Sequence, residues 1–151
     1  MGRLLARRLN TYFIDTDLLI ENFENRSIRE IFETEGEQKF RELERECFNW
    51  IKRAVTSTII SVGGGFPIYI PEIREAGVVI YLHVPWEEII KRLQKKEERE
   101  GRPLFQDIKA AEELYRKREP IYRQLAHFTI ENREIEESLE KVLEIVERRA
   151  N

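Results

Sequence analysis

Thr58-Ile59-Ile60-Ser61-Val62-Gly63-Gly64-Gly65 is a β-branched run halted by three consecutive glycines. Such a run without alternating polar residues predicts a buried strand, and the glycines predict a loop at its carboxyl end. Upstream, Tyr12-Phe13-Ile14 is a second short apolar run, ending in Asp15-Thr16-Asp17. Between the two lie a capping box at Ser27-Ile28-Arg29-Glu30 and a helical stripe of Phe40, Leu43, Cys47, Phe48 and Ile51. Downstream, Val78–Leu82 and His127–Ile130 read as two further strands. A helix is expected after Pro85-Trp86, another starts at Asp107 and is disturbed by Pro120, and a terminal helix has Ile135, Leu139, Val142 and Val146 on its core face. At the amino end, Leu4, Leu5, Arg8 and Leu9 give a short helical face that Asn10 closes. Strands alternating with helices predict an α/β domain with a parallel sheet, and each strand is apolar enough to call for neighbours on both sides.

The chain of 151 residues fits one domain, 1–151. Lys+Arg 26 against Asp+Glu 29 leaves a net charge of -3, which gives no electrostatic case for a nucleic-acid partner. No apolar stretch approaches the roughly 20 residues that span a bilayer. The Arg-rich opening Gly2–Leu9 lacks the serines of an organelle-targeting peptide, and Ala6 stands where a myristoylation signal needs Ser or Thr. The single Cys47 excludes an internal disulfide and fits a reducing, cytoplasmic setting; its place on an apolar stripe predicts a buried structural thiol. The charged stretch Lys95–Gly101 reads as a mobile loop.

Asp15 and Asp17 follow a strand two residues apart. At the carboxyl end of a parallel strand both carboxylates can face a ligand crevice. One could orient hydrated Mg²⁺ and the other accept a hydroxyl proton; alternatively the pair is an acidic helix start with Asp17 as N-cap. Arg41 stands beside Glu37 and Glu44, at i−4 and i+3. It is either part of an exposed ion-pair ladder or a bidentate ligand for a carboxylate. Gly63, Gly64 and Gly65 permit positive φ and let a ligand lie on the backbone, or they form a strained turn. Arg102-Pro103-Leu104 ends the charged stretch, where an arginine can close over a phosphate. Arg118 is either a second carboxylate ligand or one exposed arginine among several. His83 and His127 lie far from acid or Cys clusters and read as structural.

In order and spacing, the Asp15–Asp17 pair, Phe40-Arg41-Glu42-Leu43-Glu44, the glycine run, Arg102-Pro103-Leu104 and Arg118-Glu119-Pro120-Ile121-Tyr122 resemble the shikimate kinase family over nearly the whole chain. The resemblance implies a three-layer P-loop kinase-like fold with a lid around 95–106. It also implies ATP and Mg²⁺, and transfer of the γ-phosphoryl of ATP to the 3-hydroxyl of shikimate in aromatic amino-acid biosynthesis. By resemblance Asp17 holds the shikimate hydroxyls and helps deprotonate the one phosphorylated, and Asp15 stands near the Mg²⁺ shell. Arg41 and Arg118 grip the carboxylate, and the glycines contact the ring hydroxyls. Arg102 and Arg92 belong to the nucleotide side, and a cytoplasmic monomer is expected.

Two departures stand out. Val62 occupies a position where the family usually carries threonine, and the family's phosphate loop, GxxxxGK[ST], does not occur in these 151 residues. Met1 aligns a residue or two past that loop. The expectation is a late start that removes the loop and the central strand, so that the chain as written names the reaction without performing it. The alternatives are a non-catalytic binder of shikimate or a similar hydroxy acid, and another P-loop small-molecule kinase. The two arginines and the glycine run speak against a nucleoside acceptor.

Overall fold

In the computed structural model the backbone is described for residues 1–100 and 105–150, and side chains for 1–96 and 108–149. The chain divides into two compact units, Met1–Val78 and Val79–Asn151.

The first unit opens with α1 (Gly2–Arg8). Asn10, at φ 54°, takes the left-handed conformation that ends it. Thr11 N–H donates to Ala6 O at 2.9 Å and Asn10 N–H to Arg7 O at 3.2 Å, the paired bonds of a Schellman ending. Strand β1 (Phe13–Asp15) follows, then α2 (Thr16–Glu24), α3 (Ile28–Glu35) and α4 (Glu37–Ala54). Ser27 caps α3 as expected, its Oγ accepting from Glu30 N–H at 3.1 Å. Glu21 takes the next orphan donor, Ile28 N–H, at 3.0 Å.

Strand β2 (Ile59–Ser61) returns parallel to β1, with Phe13 opposite Ile59 and Asp15 opposite Ser61. A parallel return needs a crossover, which α2 to α4 supply. The core under it joins Ile20 and Ile31 to Phe40, Leu43, Cys47 and Ile51 of α4. Burial pushes the Cys47 thiol up to about 11, in keeping with an inert structural cysteine. The expectation of fully buried strands is corrected here. Ile14 and Ile60 are only half-buried, because each strand of this sheet has a single hydrogen-bonded neighbour.

The glycine run then leads into α5 (Phe66–Tyr69), and a 3-10 turn, Ile73–Ala76, completes the unit. Phe66 and Ile70 are fully buried, and the Phe66 ring meets Phe48 of α4 edge-on at 6.1 Å between centroids. These anchors fix the end of the glycine loop onto α4.

The second unit has β3 (Ile80–His83), α6 (Trp86–Glu100), α7 (Phe105–Leu125), β4 (Phe128–Glu131) and α8 (Ile135–Ala150). β3 and β4 pair in parallel, Ile80 opposite Phe128 and His83 opposite Glu131.

Four expectations change here. The loop read from Lys95 is helical as far as Glu100, since lysine, glutamate and arginine are good helix formers whatever their charge density. Residues 101–104 of the expected lid, Arg102 among them, lie outside the described residues. Helix α7 is already formed at Phe105, ahead of Asp107, and it runs through Pro120 to Leu125. Proline removes one N–H from the ladder, but both flanks are held by packing: Tyr115 on Trp86 at 5.5 Å and Tyr122 on Tyr81 at 5.2 Å. Finally, Ile135 is 54% exposed, and the core face of α8 is centred on Leu139, Val142 and Leu143.

Replacing Phe66 by Ala should lower the unfolding free energy by about 3–5 kcal/mol, the usual result of emptying a buried aromatic site. Tyr12→Ala, at an 87% exposed ring, should change it by less than about 0.5 kcal/mol. Urea unfolding of the two variants checks the difference; equal midpoints would contradict the anchoring role given to Phe66.

Candidate active site

The end of β1 sets the first pair of side chains. Asp15, in extended conformation, caps α2: its Oδ1 accepts from Asp17 N–H at 2.9 Å and from Leu18 N–H at 3.3 Å. The N-cap is therefore Asp15 and not Asp17, which corrects that alternative. The cap leaves Asp17 in the first turn with its carboxylate directed at the glycine loop. Partial burial raises the Asp17 pKa above the ordinary carboxylate value, with Asp15 and Glu21 adding to the rise and Arg41 opposing it. A carboxylate made more basic by its surroundings is a better proton acceptor.

Arg41 lies on the face of α4 turned to the same loop. Its Nη1 donates to Glu44 Oε1 at 2.6 Å, and its Nε and Nη2 donate to Glu37 Oε1 at 3.4 and 3.3 Å. Glu44 is 1% exposed, so the pair is no exposed ladder. Burial works to lower the Arg41 pKa, but the hydrogen bonds it donates to Glu44 and Glu37, with their negative charge, outweigh it and the pKa is raised. The cation is permanent. An arginine has five N–H donors; with three used on Glu37 and Glu44, one remains on Nη1 and one on Nη2. Those two form the fork that meets a carboxylate in bidentate fashion. The Tyr69 ring lies 4.1 Å from the guanidinium carbon, and its Oη donates to Glu37 Oε1 at 3.1 Å.

The glycines act through space rather than through φ. None of Gly63, Gly64 and Gly65 has positive φ, and Gly65 sits at φ −83°, which corrects the expectation of left-handed backbone. A Cβ on Gly63 would stand 3.2 Å from both Asp17 carboxylate oxygens. One on Gly65 would stand 2.6 and 2.7 Å from Nη1 and Nη2 of Arg41. The run thus brings bare backbone against the carboxylate at one end and the guanidinium at the other, with Gly64 between them.

Of the residues singled out in the sequence, the first unit brings together Asp15, Asp17, Arg41 and the three glycines. Arg118 is half-buried on α7 of the second unit and makes no ion pair among the described residues. Arg92 is exposed on α6, 3.9 Å from Glu88 one turn away. Arg102 is outside the described residues. The histidines are structural, as expected: His83 Nε2 meets Tyr115 Oη at 3.0 Å, and His127 Nδ1 accepts from Val79 N–H at 2.9 Å.

Two contributors escaped the sequence reading. Glu44 was visible only as an ion-pair partner, and its burial is a tertiary fact. Tyr69 carries no motif; its one signal is that Pro67 starts a helical turn directly after the glycines. A hollow of about 370 Å³ between α2 and α4 is lined by apolar side chains such as Leu19, Phe23 and Trp50 and contains neither Asp17 nor Arg41. It is not this site.

The family model described as shikimate kinase matches residues 1–148. A shikimate kinase of Clostridium botulinum (strain Okra / Type B1) is 47% identical over 148 residues, covering 95% of this chain and 85% of that protein. One from Helicobacter hepaticus is 39% identical over 130 residues, covering 86% and 77%. Among solved structures, shikimate kinase from Acinetobacter baumannii in complex with shikimate superposes with a TM-score of 0.80 at 31% identity, covering 98% of this chain and 85% of that one. The Bacteroides thetaiotaomicron enzyme gives a TM-score of 0.81 at 28% identity, with coverage of 97% and 89%. With a match across nearly all of its length, and with α/β units built on parallel strands, the chain belongs to the shikimate kinase family.

Proposed function

We propose that this chain carries the acceptor side of shikimate kinase, the enzyme that transfers the γ-phosphoryl of ATP to the 3-hydroxyl of shikimate. The observation that carries the reading is the convergence of a half-buried, basic carboxylate (Asp17) and a guanidinium with a spare two-donor fork (Arg41) on one bare glycine backbone. That set suits a small, hydroxylated carboxylic acid. The shikimate carboxylate lies in the Arg41 fork, and the ring hydroxyls lie against Gly63 to Gly65 and Asp17. Asp17 accepts the proton of the 3-hydroxyl as that oxygen becomes the nucleophile. Holding acid and base at fixed separation supplies the positioning on which phosphoryl transfer depends.

ATP is the second substrate. Among the described residues Arg92 is its one candidate ligand, with Arg102 outside them, so these residues do not by themselves build a phosphate cradle. Mg²⁺ fits better: Asp15 keeps one carboxylate oxygen uncommitted beside a second acid, Asp17, and would hold the ion through water. No group of three metal-ligating side chains occurs among the described residues. When bound, Mg²⁺ neutralises phosphate charge. Among the described residues no helix is long and apolar enough to cross a membrane. The reading carries with it a cytoplasmic monomer, a setting that the single buried Cys47 suits.

A second reading is a shikimate binder without turnover. Phosphorus NMR of the chain with ATP and shikimate separates the two. New phosphomonoester and ADP signals support the kinase, and binding with unchanged ATP supports the binder.

Calorimetry with shikimate should show binding that Arg41→Ala weakens by roughly 10–100-fold, the value of a charge-assisted bidentate contact. No heat from the unmodified chain, or no loss in the variant, would contradict the acceptor site.

The raised Asp17 pKa predicts a stability effect of definite sign. A carboxyl with a folded pKa above its unfolded value stabilises fully below the unfolded value, and that stability is lost as pH rises through the folded pKa. Asp17→Asn removes this loss. The variant should therefore melt higher than the unmodified chain at pH 7, and the gap should close as pH falls below about 4. Melting curves across pH check it; a variant less stable at neutral pH would show that burial does not dominate at Asp17.

A further inference from the structure

We propose that Tyr69 is a positioning residue for substrate recognition: its ring and hydroxyl together hold the Arg41 guanidinium in the plane that presents its free fork. The inference rests on the acceptor site above and deepens it.

Four neighbours, Glu44, Gly65, Glu37 and Tyr69, bound the guanidinium. Glu44, buried, takes one Nη1 donor at 2.6 Å. Gly65 leaves space at the fork because it carries no Cβ, which would stand 2.6 Å from Nη1. Glu37 takes Nε and Nη2, yet its side chain is 53% exposed and its bonds to Arg41 are long, at 3.4 and 3.3 Å. Left alone, such an exposed pair would hold the plane only loosely. Tyr69 changes that in two ways. Its ring stacks on the guanidinium, 4.1 Å from the guanidinium carbon to the centroid. Its Oη donates to the same Glu37 Oε1 that receives Arg41, at 3.1 Å. One side chain therefore fixes both the cation and the carboxylate that orients it.

Tyr69 is itself well placed. It ends α5, whose neighbours Phe66 and Ile70 are fully buried, and its carbonyl accepts from Arg45 Nη2 at 3.3 Å. Arg45 in turn pairs with Glu72. The Tyr69 side chain, by contrast, is 45% exposed for the residue as a whole, so it can be replaced without opening the core. A ring that costs little to remove yet stacks on the carboxylate-binding cation has its effect on the ligand, not on the fold.

The test is calorimetry with shikimate and with its methyl ester, which keeps the hydroxyls and loses the carboxylate charge. Tyr69→Leu should weaken shikimate binding roughly 3–10-fold, the range of a partly exposed cation–π contact together with one lost hydrogen bond. Tyr69→Phe, which keeps the stack, should recover about half of that loss on a logarithmic scale. Methyl ester binding should be unchanged by either variant, and so should the melting temperature. In an Arg41→Ala background, Tyr69→Leu should have no further effect on shikimate binding.

Equal shikimate affinity in the unmodified chain and Tyr69→Leu overturns the inference while leaving the acceptor site standing. A loss that persists in the Arg41→Ala background, or that extends equally to the ester, overturns it too, because Tyr69 would then act on something other than Arg41. Absence of shikimate binding in the unmodified chain overturns the acceptor site and this inference with it.

Discussion

The buried Glu44 carboxylate on α4 is the constraint around which the first unit's site is arranged. An ionised carboxylate taken out of water must find a charged partner at close range, and Arg41, one turn earlier on the same helix face, is that partner at 2.6 Å. The requirement fixes the guanidinium to the helix surface with two N–H groups to spare. It also makes Gly65 the only kind of residue that can pass: any side chain there would collide with Nη1 and Nη2. The glycine loop can then reach Asp17 at its other end, through Gly63. One buried charge thus sets the arginine, the arginine sets the loop, and the loop spans from cation to carboxylate.

Asp17 reaches this arrangement because another residue takes the capping duty. The short bond from Asp17 N–H to Asp15 Oδ1 satisfies the start of α2 with the first aspartate. The second is left with a half-buried carboxylate whose charged form is disfavoured. Two acids of one tripeptide therefore stand differently, one capping the helix and one facing the glycine loop. The difference arises from which of them is still in extended backbone.

Much of this was legible in the chain. The helical stripe Phe40, Leu43, Cys47, Phe48 and Ile51 has a period that only one face of a helix satisfies, and all five are buried. The strand and glycine run at Thr58–Gly65 and the cap at Ser27 are local signals with local causes. What failed had tertiary causes. Neither the half-burial of Ile14 and Ile60 nor the continuity of α7 through Pro120 follows from neighbours in sequence: the first reflects how many strands flank a strand, the second the aromatic packing of Tyr115 and Tyr122. The glycines were expected to supply positive φ, and none does; at Gly63 and Gly65 it is the space beside Asp17 and Arg41 that calls for a missing side chain. Tyr69 could not be found at all, because an aromatic residue after a loop has no meaning until the side chain beneath it is known.

A crystal structure of the chain soaked with shikimate addresses the acceptor site most directly. The account predicts the carboxylate bidentate on Nη1 and Nη2 of Arg41, at about 2.7–2.9 Å, with a ring hydroxyl on Asp17 and the ring over Gly63 to Gly65. Shikimate bound elsewhere, as in the apolar hollow between α2 and α4, with the Arg41 fork unengaged, would contradict it.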